Sequence, residues 1–280
     1  MRHTLKTILA AAGITALTAT AGVFTPAEDA KAAGASAEYK QVNWSWSGLF
    51  GHYDQAQLQR GFQIYSEVCG NCHSLRLVAY RNLTEIGFSE DQVKDIASSF
   101  EVEDGPDEFG DMFFREAIPA DRFVPPFPNE QAAASANGGA LPPDLSLMAK
   151  ARMDGPNYLY SLMTGYDQDL STGEVPEEYA TDSHGEEVTI PEDKYFNPYF
   201  PGYAISMPPQ LWEEGVEYED GTEATISQQA QDIAAFLNWA AEPELNERKS
   251  MGIKVLIFLT VFTAMLLALK LSIWRDVKGH

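Results

Sequence analysis

Apolar residues in this chain form one run near each end and periodic stripes between them. The first run, residues 8–21, follows Arg2, His3 and Lys6 and is too short to cross a bilayer comfortably. It reads as a secretory signal peptide over residues 1–21, with cleavage after Ala21 or as late as Ala32. The second run, residues 255–269, extends outward to Met251 and Trp274, giving about 24 residues or roughly 36 Å of helix. This predicts one transmembrane anchor over residues 247–274, with Lys254 and Lys270 able to snorkel and Trp274 at an interface. Basic residues flank both ends of the anchor, so the signal peptide sets the orientation. Residues 33–246 are exported, and residues 275–280 stay in the cytoplasm.

Within the exported part, Leu58, Phe62, Tyr65, Cys69 and Cys72 recur at helical spacing behind an Asp54/Gln57 capping pattern. The spacing predicts a helix with both cysteines on its apolar face. A second stripe, Ile226, Ala230, Ile233, Phe236, Leu237 and Ala240, predicts a helix over residues 225–241 that Pro243 ends. These two helices are expected to pack together. Further helices are expected over residues 90–100 and from residue 143 through 152 to 163. Proline-, glycine- and acid-rich stretches, such as residues 124–128 and 172–202, separate them. The prediction is one mainly α domain of about 210 residues with long irregular loops and little sheet.

Cys69-Gly70-Asn71-Cys72-His73 is the C-x-x-C-H sequence of covalent haem c attachment. Two thiols at this spacing can add across the two vinyl groups on one porphyrin edge, and the following histidine then lies under the iron. Cys69 and Cys72 would hold the ring, and His73 would be the proximal ligand. The chain contains no other cysteine, which excludes a four-thiolate metal site. A dithiol redox motif is the alternative reading. No arrangement of nucleophile and general base stands out, in keeping with a protein that moves electrons and makes no bonds.

The sixth iron ligand would be a histidine or a methionine. His52 and His184 are polar-flanked and read as surface residues; Met112, Met148, Met153 and Met163 are further candidates, with Met251 and Met265 in or beside the anchor. Met207 is favoured because Pro208 and Pro209 fix an extended loop that can hold its thioether rigidly. A histidine–methionine pair would raise the reduction potential relative to two histidines.

Several blocks together resemble the cytochrome c1 family, the haem-c subunit of the cytochrome bc1 complex, in order from about residue 42 to the C-terminus. They are Arg60-Gly61-Phe62-Gln63-Ile64-Tyr65, Val68 with the haem motif, Gly139-Ala140-Leu141-Pro142-Pro143-Asp144-Leu145-Ser146, Phe196-Asn197-Pro198-Tyr199-Phe200-Pro201-Gly202, Met207-Pro208-Pro209 and Trp239-Ala240-Ala241-Glu242-Pro243. The resemblance implies a cytochrome c-type haem domain with one covalent haem c. It also implies a one-electron relay from a Rieske iron–sulfur protein to a soluble c-type cytochrome, beside a cytochrome b subunit, in a quinol–cytochrome c reductase of the inner membrane. Cys69, Cys72, His73 and Met207 carry over as attachment and axial residues. Arg152 carries over as the partner of a haem propionate, which a guanidinium matches in a bidentate way. Asn137, Ala140, Pro143 and Tyr158 carry over as haem-pocket residues. Residues 166–194 depart from the mitochondrial pattern as a longer, more acidic excursion, and the extra cysteine pair of some bacterial members is absent.

The net charge of −22 argues against nucleic acid as a partner. Six acids without a base between residues 101 and 111, and six more between 213 and 223, suit a docking field for a basic electron carrier.

Overall fold

The computed structural model describes residues 37–181 and 185–277; the expected signal peptide and the end of the expected cytoplasmic tail lie outside them. Helix α1 (Gln55–Glu67) begins where the Asp54 carboxylate accepts the N–H groups of Ala56 and Gln57, satisfying donors that the first helical turn leaves open. Its apolar face, Leu58, Phe62 and Tyr65, lies against helix α6 (Ile226–Ala241), which Thr225 caps and which is buried along nearly its whole length. The two helices cross at Gly61. A Cβ there would sit 2.2 Å from the Asp232 carbonyl, so no larger residue permits this approach. Arg60 secures the crossing by pairing with the fully buried Asp232 at 2.9 Å and with Asp220 at 2.7 Å.

Helix α2 (Glu90–Ser98) starts at a reciprocal Ser89/Gln92 capping box, and α3 (Glu130–Ala136) starts at Asn129. The helix expected over residues 143–163 is broken. Residues 143–147 are irregular, α4 (Met148–Ala151) is one turn, and α5 (Gly155–Met163) restarts after Asp154, whose φ of 49° is left-handed. Residues 143–147 stay out of the helix because residues 143–146 hydrogen-bond to the chain after α1 instead of to their own next turn. Helices α4 and α5 pack against α6, so α6 is the shared floor of the domain.

The sheet content is two small antiparallel hairpins. Strand β1 (Glu101–Asp104) pairs with β2 (Phe113–Glu116), and β3 (Tyr195–Phe196) pairs with β4 (Ala204–Ile205). The first hairpin lies in the acid-rich segment read as loop. Its strands place acids opposite exposed phenylalanines, which erases the usual apolar alternation, and Arg115 holds it by bonding Asp104 and Asp121. Beyond Pro243, α7 (Leu245–Val277) is one continuous helix, about 50 Å long at 1.5 Å per residue. The most apolar 18-residue stretch of this helix has a mean hydropathy of 2.3, and the side chains of residues 255–269 are exposed. The protein is therefore a mainly α domain with one membrane-anchoring helix.

Candidate haem site

The chain leaves α1 at Val68 and winds Cys69–Asn71 into a 3₁₀ turn, in which the N–H groups of Cys72 and His73 both donate to the Cys69 carbonyl, at 3.1 and 2.9 Å. Both cysteines thus lie past the end of α1, and not on its face as the helical spacing predicted. The tighter winding ends the helix ladder and turns the chain toward residues 143–146. Both thiols are free and half-buried. Burial pushes the Cys69 thiol up to about 12, away from the lowered value that a thiolate nucleophile needs.

His73 Nδ1 lies 2.8 Å from the Pro143 carbonyl. A carbonyl can only accept, so the ring proton sits on Nδ1 and the lone pair is left on Nε2. Burial lowers the pKa of this imidazole, against the opposing effects of the Pro143 bond and the Asp144 charge, so the ring is neutral at neutral pH. Tyr65 donates its hydroxyl to the His73 carbonyl at 3.1 Å.

Pro143 is held in place by Asp144, which sequence reasoning did not single out. Asp144 Oδ2 accepts the Ser74 hydroxyl at 2.7 Å and the Arg76 N–H at 2.9 Å, while its Oδ1 accepts the Ser146 N–H at 3.0 Å. The Leu145 N–H donates to the Ser74 carbonyl, and Ser146 Oγ accepts the Leu77 N–H. Burial acts to raise the Asp144 pKa, but bonds from Ser146, Arg76 and Ser74 outweigh it and hold the group below the usual carboxylate value. The visible signal was an acid two residues before a serine, directly after two prolines. Its partners lie about 70 residues earlier.

Met207 follows β4 and is half-buried against the core. The Tyr166 hydroxyl donates to its carbonyl at 2.9 Å, and burial raises the Tyr166 pKa, keeping the phenol a donor. The hairpin before Met207 is sewn to α5 by Asn197. This fully buried side chain donates to the Leu162 carbonyl at 2.8 Å and accepts the Tyr199 N–H at 3.0 Å. Asn197 was also missed as a site residue.

Arg152 lies in the break between α4 and α5, with its guanidinium 6.0 Å from the ring of the buried Tyr158. It donates to the Ala151 carbonyl and makes no ion pair among the described residues. Asn137 and Ala140 bond within their own turn: Asn137 donates to the Ala133 carbonyl at the end of α3, and the Ala140 N–H donates to Asn137. Of the other ligand candidates, Met148 is buried in the core, Met163 packs against it, and Met112 and Met153 are exposed. His52 is exposed in the loop before α1, with its ring 3.5 Å from the Phe50 carbonyl. His184 lies outside the described residues.

The contacts gather the predicted residues into two groups. Cys69, Cys72, His73 and Pro143 surround the turn after α1, whereas Met207 and, through Tyr166, Tyr158 and Arg152 lie around α5. No cluster of three or more His, Cys, Asp or Glu side chains suited to a bare metal ion occurs among the described residues. Two free thiols, one imidazole nitrogen and one thioether fit an iron whose equatorial ligands come from a macrocycle.

A sequence model of the Cytochrome C1 family matches residues 44–277. Cytochrome c1 of Rhodospirillum rubrum is 61% identical over 238 residues, covering 84% of this chain and 87% of that protein. Cytochrome c1 1, heme protein, mitochondrial, of Arabidopsis thaliana is 45% identical over 253 residues, covering 90% of this chain and 76% of the relative. Cytochrome b/c1 of Bradyrhizobium diazoefficiens is 42% identical over 270 residues, covering 89% of this chain and 37% of the relative.

Proposed function

Because this chain belongs to the cytochrome c1 family, haem-carrying electron-transfer subunits of the cytochrome bc1 complex, we propose that it is the one-electron relay of a quinol–cytochrome c reductase. It takes an electron from a Rieske iron–sulfur protein and gives it to a soluble c-type cytochrome. Cys69 and Cys72 would attach one haem c, His73 Nε2 and the Met207 sulfur would hold its iron, and Arg152 would pair with a propionate. Pro143 acts through its carbonyl, with Tyr158, Asn137 and Ala140 as flanking residues. When bound, the haem supplies an iron that alternates between ferric and ferrous states.

The observation that carries this reading is the His73–Pro143 bond, which aims a neutral imidazole with a free Nε2. The soft sulfur of Met207 favours ferrous iron and so suits the site to electron transfer. The match to a relative named cytochrome b/c1 supports a cytochrome b partner. Helix α7 lies in the inner membrane, with the haem domain in the periplasm and the C-terminus in the cytoplasm. The acid clusters over residues 101–111 and 213–223 attract a basic carrier without tight binding.

The test is a reduced-minus-oxidised visible spectrum of the full chain in membranes, for wild type and Met207→Leu. Wild type is expected to keep its haem through denaturing extraction and to show the weak far-red methionine–iron band. The variant is expected to keep the haem, lose that band and become harder to reduce. A colourless wild-type chain with titratable thiols would replace this reading with a dithiol oxidoreductase.

A further inference from the structure

Residues 44–52 form a closed loop at the foot of α7. The Ser47 N–H donates to the Trp44 carbonyl at 2.9 Å, and the His52 N–H donates to the Ser45 carbonyl at 3.2 Å. Gly51 is required for this closure, since a Cβ there would lie 2.1 Å from the Ser47 carbonyl. Trp44 and Trp46 are buried and stack at 4.8 Å, and Trp44 Nε1 donates to Asn157. Lys249, in the first turns of α7, donates its ammonium to the carbonyls of Trp46, Gly48 and Gly51. Asn246 accepts the Tyr53 N–H at 3.0 Å. The loop is therefore clamped to α7 through backbone groups, none of them at its tip.

At that tip, Leu49 and Phe50 are 58% and 78% exposed. Scattered exposed apolar residues are ordinary, but here two neighbours crown a loop fixed at a definite height on a membrane helix. Lys249 precedes the uninterrupted apolar run at Val255 by six residues, or about 9 Å of helix. The headgroup layer of one leaflet is on the order of 5–8 Å thick. The clamp thus lies at the outer edge of the headgroup layer, within a side chain's reach of the depth at which leucine and phenylalanine partition favourably.

We propose that the Leu49–Phe50 tip is a second membrane contact, seated at the headgroup–acyl boundary of the bilayer that α7 crosses. One helix alone leaves a domain free to rock on its anchor. A clamped second contact fixes its tilt, and with it the direction in which the electron-transfer face looks. The proposal rests on α7 as an anchor and not on the identity of the iron ligands.

The test places a bimane fluorophore on Phe50→Cys in the full chain, reconstituted into phosphatidylcholine vesicles, with the chain lacking the new cysteine as a measure of background labelling. Phe109→Cys, at an 82% exposed position between β1 and β2, is the water-facing control. The label at 50 is expected to lose most of its emission to nitroxide-bearing lipids and little to aqueous iodide, with the reverse at 109. Lys249→Met, which releases the clamp, is expected to reduce the lipid quenching at 50. Iodide quenching at 50 equal to that at 109 would overturn the proposal. So would shielding at 50 that arises only when other subunits of the complex are present, because a protein would then cover the tip. Loss of the chain from vesicles in alkaline carbonate would remove the anchor itself and identify that premise as the failure.

Discussion

Around His73, Asp144 gathers Ser74, Arg76 and Ser146, the Pro143 carbonyl receives the ring N–H, and Tyr65 bonds the backbone. At Met207 itself the described hydrogen bond to the backbone comes from Tyr166; Asn197 ties the preceding hairpin to α5, and the rest of the support is apolar packing and two prolines. The difference follows from the two side chains. An imidazole ligates only in the correct tautomer and ring orientation, and both need a directed partner. A thioether has no donor and is a weak acceptor, so a shaped apolar wall is enough to place it. One side of the site is thus fixed by hydrogen bonds and the other mainly by packing, and the helices beside them, α1 and α5, both pack on α6.

The largest expected effect comes from damaging that shared floor. Gly61→Val would drive a side chain into the Asp232 carbonyl and Phe236, costing about 3 kcal/mol or more. Urea unfolding should show the loss, and the spectral signatures of both ligands should weaken together. Loss on one side only would mean that the two sides do not share α6.

Next comes Asp144→Ala, which strands the donors of Ser74, Arg76 and Ser146 and is expected to cost about 3 kcal/mol. The sign of its pH dependence follows from the lowered pKa. The carboxylate stabilises fully above its ordinary value of 3.8, and that stabilisation is lost as pH falls through the lower folded value. An acid titration of stability should therefore show a limb below pH 3.8 in wild type that the variant lacks. An identical limb in both would assign acid sensitivity elsewhere.

The smallest effect sharpens the comparison most. Tyr166→Phe removes one hydrogen bond, about 1 kcal/mol. The far-red methionine band should fade on mild warming in the variant while global unfolding scarcely moves. If the variant instead loses stability as much as Asp144→Ala does, the methionine side is not held mainly by packing.

Much of this molecule is legible in its sequence because it is written locally. The cap at Asp54, the stripe of α6 and its stop before Pro243, and the apolar run of α7 are all set within a few residues, where helical geometry makes spacing equal to facing. The haem motif is local for the same reason, since two thiols and an imidazole must reach one ring. The irregular stretch before α4 was hidden because residues 143–146 look helix-compatible until Ser74 and Arg76 compete for their polar groups. The β1–β2 hairpin was hidden because its charges and exposed phenylalanines do not alternate as a half-buried strand does.

The sequence by itself offered the two thiols, the imidazole and the thioether proposed to hold a haem, and determined the two main helices and the anchor that follows. Only the tertiary structure decided which nitrogen of His73 is free, because that depends on a Pro143 carbonyl 70 residues away, and a backbone carbonyl is the same group in every residue. It alone decided too that Lys249 clamps the Trp46–Gly51 carbonyls, leaving Leu49 and Phe50 outward. Side-chain chemistry is written in the order of residues, but the pairing of distant backbone groups is created only when the chain folds.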